Sequence, residues 1–169
     1  MANQLDHDSP AEFIAQWLAE NSFQTVGYVG SFPSLPMSQF NPVHIIDCNQ
    51  YKPWDNTTAQ DNPQDPSSLE AVVIADCFTD YSKQDMVQLL AGYRNALVAA
   101  ILVFVGLEQL NEWQSADFYG LGFKKIAAFP HPEHPLQAFE YNLRSYNHKR
   151  LWNTPEYWAN PENFGKYWW

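Results

Sequence analysis

The chain has 169 residues, of which 46% are hydrophobic and only 17% charged, which is the length and composition of one folded domain. The net charge of −10 argues against binding to nucleic acid or to an anionic membrane, because both need clustered cations. Two cysteines provide no disulfide framework, and no apolar stretch is long enough to span a membrane. We therefore expect a single cytoplasmic domain over residues 1–169.

Short apolar runs between polar turns predict the strands of a sheet. The runs over 71–76 and 100–105 are almost continuously apolar, as in strands that are covered on both faces of a parallel sheet. Residues 136–144 instead alternate, and their short connection to the preceding strand predicts an antiparallel hairpin at one edge. The expected strands are 25–29, 43–47, 71–76, 100–105, 124–129 and 136–144.

Caps and apolar spacing predict the helices. Ser9 and Glu12 form a capping box with Pro10 at the first helical position, and Ser82 is paired in the same way with Asp85. The helices are expected over 10–21, from the Ser82 cap onward, and over 107–119 with a break near Ser115. The buried face of the second is expected to comprise Met86, Leu89, Leu90, Tyr93 and Leu97.

The remaining segments lack such patterns. We expect a flexible N-terminus over 1–8 and a long mobile loop over 52–68. Residues 145–169 form an aromatic tail, which either wraps over its own sheet or provides an interface for a homodimer or a protein partner. Alternating strands and helices that end in a hairpin predict a three-layer, Rossmann-like α/β sandwich around a mostly parallel sheet with an antiparallel C-terminal hairpin.

Several features of the second half occur in a recognisable order. The acidic strand end Ile74-Ala75-Asp76-Cys77-Phe78 is followed by a helix, by the strand over 101–105 and by Leu121-Gly122-Phe123 before the hairpin. Over about residues 71–144 this order resembles the C-terminal half of a class I, Rossmann-like methyltransferase. In that family the Leu-Gly-Phe turn leads into the antiparallel pair that closes the sheet. The end of the chain, over 151–162, also resembles some bacterial proteins of unknown function.

The resemblance implies where S-adenosylmethionine would bind. Methyltransferases hold this cofactor on a glycine-rich turn after the first strand, and the matching positions here are Gly27, Gly30 and Ser31. A bulky Phe32 and then Pro33, which lacks an amide donor, follow at once. The segment to the second strand is also too short for the crossover helix of the family. The cofactor half therefore departs from the family's pattern.

Two aspartates end predicted parallel strands. The resemblance implies that Asp47 is in the place of the ribose-binding acid and Asp76 in that of the substrate-side acid. Acidic residues at such strand ends face the ligand crevice of open α/β sheets, although they also cap the turns that follow. Cys48 and Cys77 come directly after them and are expected to be buried small hydrophobes. No metal site is expected.

Two functions follow. The degenerate turn favours a non-catalytic ligand-binding or adaptor protein that takes no cofactor. The alternative is an active S-adenosylmethionine-dependent methyltransferase of unknown acceptor, in which Gly27, Gly30, Ser31, Asp47 and Asp76 hold the cofactor. The sequence leaves open whether the chain is an enzyme.

Overall fold

The structure is a computed structural model that describes residues 9–31, 44–53, 66–130 and 135–146, except for the side chain of Tyr146. Within these ranges six strands form one sheet in the order β2-β1-β3-β4-β6-β5. The strands are β1 Thr25–Gly30, β2 His44–Asp47, β3 Ala71–Ala75, β4 Ala100–Val105, β5 Lys124–Phe129 and β6 Leu136–Asn142. The helices are α1 Pro10–Asn21, α2 Lys83–Asn95, α3 Ser115–Gly120 and α4 Leu143–Tyr146.

The direction of the strands confirms the predicted sheet. Strands β2, β1, β3 and β4 are parallel, whereas β6 is antiparallel to both β4 and β5. Strand β1 lies between β2 and β3. The strand order therefore reverses at β1, because β2 is added on one side of it and β3 on the other. Open α/β sheets bind ligands at such a reversal, outside the carboxyl ends of the strands.

Helices cover both faces of the sheet and complete a three-layer sandwich. On one face Ile14, Trp17 and Leu18 of α1 join a buried cluster with alternate residues of β3 and β4. On the other face, residues of α2 and Phe118 of α3 pack with the remaining residues of the same strands. Every residue of β4 is buried, as its continuous apolar run predicts for a strand that is covered on both faces.

Helix α1 is fixed against the hairpin side of the sheet. The Ser9 hydroxyl accepts a hydrogen bond of 3.2 Å from the Glu12 N–H, which confirms the predicted cap. The Trp17 indole donates to Glu140 Oε1 of β6 at 2.8 Å. The ring of Phe13 lies edge-on to Phe104. These contacts place the first turn of α1 beside the carboxyl end of β4.

The predicted buried face of helix α2 is confirmed for four of its five residues. The prediction that Leu97 is buried is wrong. The helix ends at Asn95, and Leu97 is 70% exposed with a φ of 62°. Its N–H donates to the Arg94 carbonyl, and the next N–H donates to the Tyr93 carbonyl. This is a Schellman end, in which the position of Leu97 favours glycine. The apolar residues therefore keep their helical spacing in the sequence as far as Leu97, although the helix ends at Asn95.

Other predicted boundaries also shift. The predicted helix over 107–119 consists of a 3₁₀ turn at Leu107–Gln109 and the separate helix α3. Strand β6 ends at Asn142, before the 144 that alternation predicts, because α4 begins there. The predicted loop over 52–68 ends in a 3₁₀ turn at Pro66–Ser68.

Some predictions fall outside the described residues. These are the N-terminus over 1–8, Phe32 and Pro33 of the turn after the first strand, most of the loop over 52–68, and the aromatic tail beyond residue 146. Within the described ranges no helix is both long and apolar enough to cross a membrane.

We expect Leu97→Gly to raise the free energy of unfolding by about 0.5–1 kcal/mol, because glycine relieves the left-handed strain at an exposed position. Urea denaturation monitored by circular dichroism measures the change. Leu97→Ala is the matched control, since it removes the exposed side chain and keeps the Cβ. A glycine variant no more stable than the alanine variant would contradict the assignment of strain.

Candidate functional site

The carboxyl ends of the four parallel strands meet at one edge of the sheet. Polar or glycine residues lie at or directly after each of these ends. They are Gly30 at the end of β1 and Ser31 directly after it, Asp47 at the end of β2, Asp76 after β3 and Gly106 after β4. Because β1 lies between β2 and β3, Asp47 and Asp76 flank the Gly30–Ser31 turn on opposite sides. This edge is the candidate functional site.

Gly30 brings the end of β1 into close contact with β3. Its φ is +86°, and a Cβ at this position would lie 1.8 Å from the carbonyl oxygen of Ala75. The Ser31 N–H donates to that same oxygen at 3.1 Å. Only glycine fits such a backbone, which explains one of the two glycines that the sequence singled out. The Ser31 residue itself is exposed at the edge.

Asn49 joins the ends of β1 and β2. Its Oδ1 accepts from the Gly30 N–H at 2.7 Å, and its Nδ2 donates to Asp47 Oδ1 at 2.8 Å. The backbone N–H of Asn49 donates to the same Asp47 oxygen at 2.9 Å. Asn49 is not evident from the sequence pattern, because its contacts depend on two strands being neighbours. An Asn two residues after a strand-end Asp was the available signal, since the pair is typical of an Asx turn.

These contacts hold Asp47 in its charged form. The backbone N–H of Asn49 lowers the pKa of Asp47 most, burial opposes that effect, and the side chains of Asn49 and Tyr28 lower the pKa further through hydrogen bonds. The Asp47 carboxylate remains exposed. The capping role is therefore present in the structure, and ligand binding by Asp47 stays a prediction.

The segment after β2 is anchored on α2. The ring of Tyr51 lies over that of Tyr93, with centroids 4.9 Å apart. Gly92 leaves room for Pro53, because a Cβ at Gly92 would lie 2.7 Å from the Pro53 Cβ. This packing holds the chain just beyond Asn49 against α2, through the half-buried ring of Tyr51 and the buried ring of Tyr93.

Asp76 turns the chain away from β3 in an unusual conformation. Its φ is 55°, in the left-handed region that Asp and Asn tolerate better than other side chains. The side chain is exposed and lines a cavity between the edge and helix α1. Asp47 and Asp76 therefore lie at one edge of the sheet, as the strand ends predict, but only Asp76 lines this cavity.

The cavity has a volume of about 350 Å³, within the range of small-molecule sites. Its walls come from the first turns of α1, the turn after β3, the end of β4 and the 3₁₀ turn that follows. Apolar side chains dominate those walls, among them Ile14, Phe78 and Phe104. The sequence analysis did not identify this cavity, because its walls come from segments that are far apart in the chain.

Gly27 lies inside β1, away from the edge. A Cβ there would lie 2.8 Å from both Cys48 Sγ and a methyl carbon of Leu69. The glycine thus allows those side chains to pack over the strand. The structure does not bring Gly27 together with Gly30, Ser31, Asp47 and Asp76.

Cys48 and Cys77 are both buried free thiols, as expected. Burial is the main cause that raises the pKa of Cys48 to about 11 and that of Cys77 to about 12. Within the described ranges, no group of three or more His, Cys, Asp or Glu side chains is arranged to hold a metal ion.

The fold is shared with a methyltransferase of known structure. The magnesium protoporphyrin IX methyltransferase of Synechocystis PCC 6803 with bound S-adenosylmethionine is 11% identical, with a TM-score of 0.52, over 77% of this chain and 76% of that chain. The same enzyme with bound S-adenosylhomocysteine gives 12% identity and a TM-score of 0.49 over 77% and 80%. The first comparison, together with the strand order, shows that the chain has a class I methyltransferase-like fold.

The family of the chain follows from its sequence. Residues 8–169 match the model of DUF6231, a family of unknown function, and the chain belongs to that family. A search of curated protein sequences found no match.

The prediction that the chain takes no cofactor is corrected by the structural comparison. The neighbour that shares the fold was crystallised with bound S-adenosylmethionine. That prediction relied on Phe32 and Pro33 of the turn, which lie outside the described residues. The parts of the edge that are described keep a glycine turn between two acidic strand ends.

We expect neither cysteine to react with a thiol-specific disulfide reagent at pH 8 in the native protein. A thiol with a pKa of about 11 is roughly one part in a thousand thiolate at that pH, and the thiolate is the reactive form. Absorbance of the released chromophore measures the reaction. Both thiols should react in guanidinium chloride, which is the control. Fast labelling of either thiol in the native protein would contradict its burial.

Proposed function

We propose that the chain binds S-adenosylmethionine at the carboxyl edge of its sheet and acts as a methyltransferase on a small acceptor. The observation that carries the proposal is the Gly30–Ser31 turn at the reversal of strand order, flanked by Asp47 on one side and by Asp76 with its cavity on the other. The fold of the S-adenosylmethionine-bound neighbour supports it.

At this edge, side chains rather than backbone amides provide the hydrogen-bonding groups that fit the cofactor. An ionised carboxylate offers about four lone-pair sites, and hydrogen bonds from Asn49 and Tyr28 leave Asp47 capacity for a ribose hydroxyl. As a carboxylate, Asp47 accepts rather than donates hydrogen bonds, and its lowered pKa extends the charged state to more acidic pH. Asn49 fixes the carboxylate before a ligand arrives.

The cavity provides the acceptor side. When bound, S-adenosylmethionine supplies an electrophilic methyl group. The apolar walls around Ile14, Phe78 and Phe104 exclude water from a molecule seated between them, and Asp76 lies at the rim, where it can orient a donor or accept a proton. Orientation and exclusion of water are the contributions that these residues can make to a group transfer.

One observation favours a second candidate, a module that binds the cofactor without turning it over. Both amides of the Gly30–Ser31 turn already donate within the protein, Gly30 to Asn49 at 2.7 Å and Ser31 to Ala75 at 3.1 Å. Neither amide is free to bind the carboxylate of the cofactor. Binding then depends on Ser31, Asp47 and Asp76 side chains, which favours a weak, non-catalytic interaction.

We expect Asp47→Asn to weaken S-adenosylhomocysteine binding about 10- to 100-fold, as for the loss of a charged hydrogen bond. The substitution keeps an oxygen that can accept from Asn49, so the turn should persist. Isothermal titration calorimetry measures the affinity. Glu20→Gln is the matched control, because it neutralises an exposed carboxylate in the last turns of α1, away from the edge.

Equal binding by wild type, Asp47→Asn and Glu20→Gln would contradict the assigned ribose contact. No binding by the wild type would contradict the proposed function.

Mass spectrometry of the nucleoside after incubation with S-adenosylmethionine and a small-molecule extract separates the two candidates. Accumulated S-adenosylhomocysteine indicates transfer, and unchanged S-adenosylmethionine indicates a binding module.

A further inference from the structure

The cavity has a strongly uneven chemistry. Its inner walls are apolar, with aromatic rings contributed by Phe78 and Phe104. Polar side chains at its rim are Ser31, Asp76, Thr79 and Gln109. A ligand that fits must therefore have an apolar body, which gains from leaving water, and a polar end directed to the rim.

The charges around the cavity determine which polar group a ligand can carry at its rim end. Asp76 is the one charged side chain among the described residues that line the cavity, and no Lys or Arg is among them. Residues 1–123, which supply almost all of those walls, contain three Lys and Arg against fifteen Asp and Glu. An anionic ligand would enter a negative field without a partner, whereas a cation is attracted by that field and paired by Asp76.

We infer that the cavity recognises a small amine with an apolar, aromatic or alkyl body, whose ammonium pairs with Asp76. The aromatic walls favour such a ligand in two ways. The rings pack against its apolar body, and the faces of the rings attract its positive charge. This inference rests on the proposed function and names the class of acceptor. For transfer, the ammonium first gives a proton to the Asp76 carboxylate, which leaves a lone pair on the amine nitrogen. That lone pair forms the bond to the methyl carbon while the bond from this carbon to the sulfonium breaks, and S-adenosylhomocysteine leaves. Asp47 is on the far side of β1 and does not line the cavity, which leaves the ribose contact separate.

Three probes of one shape test the charge selection. They are 2-phenylethylamine, 2-phenylethanol and 3-phenylpropionate, which are cationic, neutral and anionic near pH 7. Calorimetric titrations are made into the full chain, with and without saturating S-adenosylhomocysteine. We expect the amine to bind at least ten times more tightly than the other two, as for a charge-assisted hydrogen bond.

Asp76→Asn is the decisive variant. Asn tolerates the left-handed φ of 55° as Asp does, so the turn should fold. We expect it to weaken amine binding at least tenfold and to leave phenylethanol binding unchanged. Asp80→Asn is the matched control, because it removes the same charge from an exposed residue of the same turn that does not line the cavity.

A second variant tests the location by volume. Thr79 is exposed and lines the cavity, so that Thr79→Trp fills the rim without disturbing the core. We expect this variant to lose amine binding and to keep the wild-type denaturation midpoint.

Three results would overturn the inference. One is equal binding of the three probes, another is equal loss of amine binding in Asp76→Asn and Asp80→Asn, and the last is competition between the amine and S-adenosylhomocysteine. Competition would mean that the cavity holds the amino-acid end of the cofactor, which leaves the proposed function standing. Conversely, selective amine binding without any S-adenosylhomocysteine binding would support the ligand class and overturn the proposed function.

Discussion

The close approach of β1 to β3 at Gly30 is the constraint on which the site depends. A side chain at this position would collide with the Ala75 carbonyl oxygen, 1.8 Å from a Cβ, and the φ of +86° disfavours any residue with one. The contact ends β1 and directs the chain out of the sheet at the reversal of strand order. Asn49 completes the arrangement from the other side, because its amide pairs with the backbone of Gly30 and with the Asp47 carboxylate. Three adjacent strand ends are thereby held in one fixed relation.

The same residue type has two different roles at this edge. Asp47 is held by the Asn49 and Tyr28 hydrogen bonds, which lower its pKa and leave it as a fixed acceptor. Asp76 is in a left-handed turn beside an apolar cavity that lacks any other charged side chain in the described part of the chain. Fixed polar contacts lie on one side of the turn, and an apolar cavity with a carboxylate at its rim lies on the other, which is the arrangement that the two proposed ligands would use. The buried layers beneath this edge meet at β4, every residue of which is buried.

Much of the fold could be predicted because the signals are local. The apolar run of β4, the Ser9 and Ser82 caps and the alternation of β6 each predict an element within a few residues. The failures depend on non-local contacts. Leu97 continues a helical spacing after the backbone has already left the helix, which the sequence pattern does not reveal.

The site shows the same limit. The positions of Asp47 and Asp76 at this edge could be predicted from their strand ends, and that of Gly30 from its turn, whereas their contacts with a ligand stay a prediction. Asn49 and the cavity could not, since they arise only when strands distant in sequence become neighbours. Nuclear magnetic resonance of the ¹⁵N-labelled chain titrated with S-adenosylhomocysteine tests the central claim, that this edge is the binding site, most directly. The account predicts amide shifts at Ser31, Asn49 and Asp76, with none at the opposite edge at Thr25, Ala71 and Ala100. Shifts confined to the opposite edge, or none at saturating ligand, would contradict it.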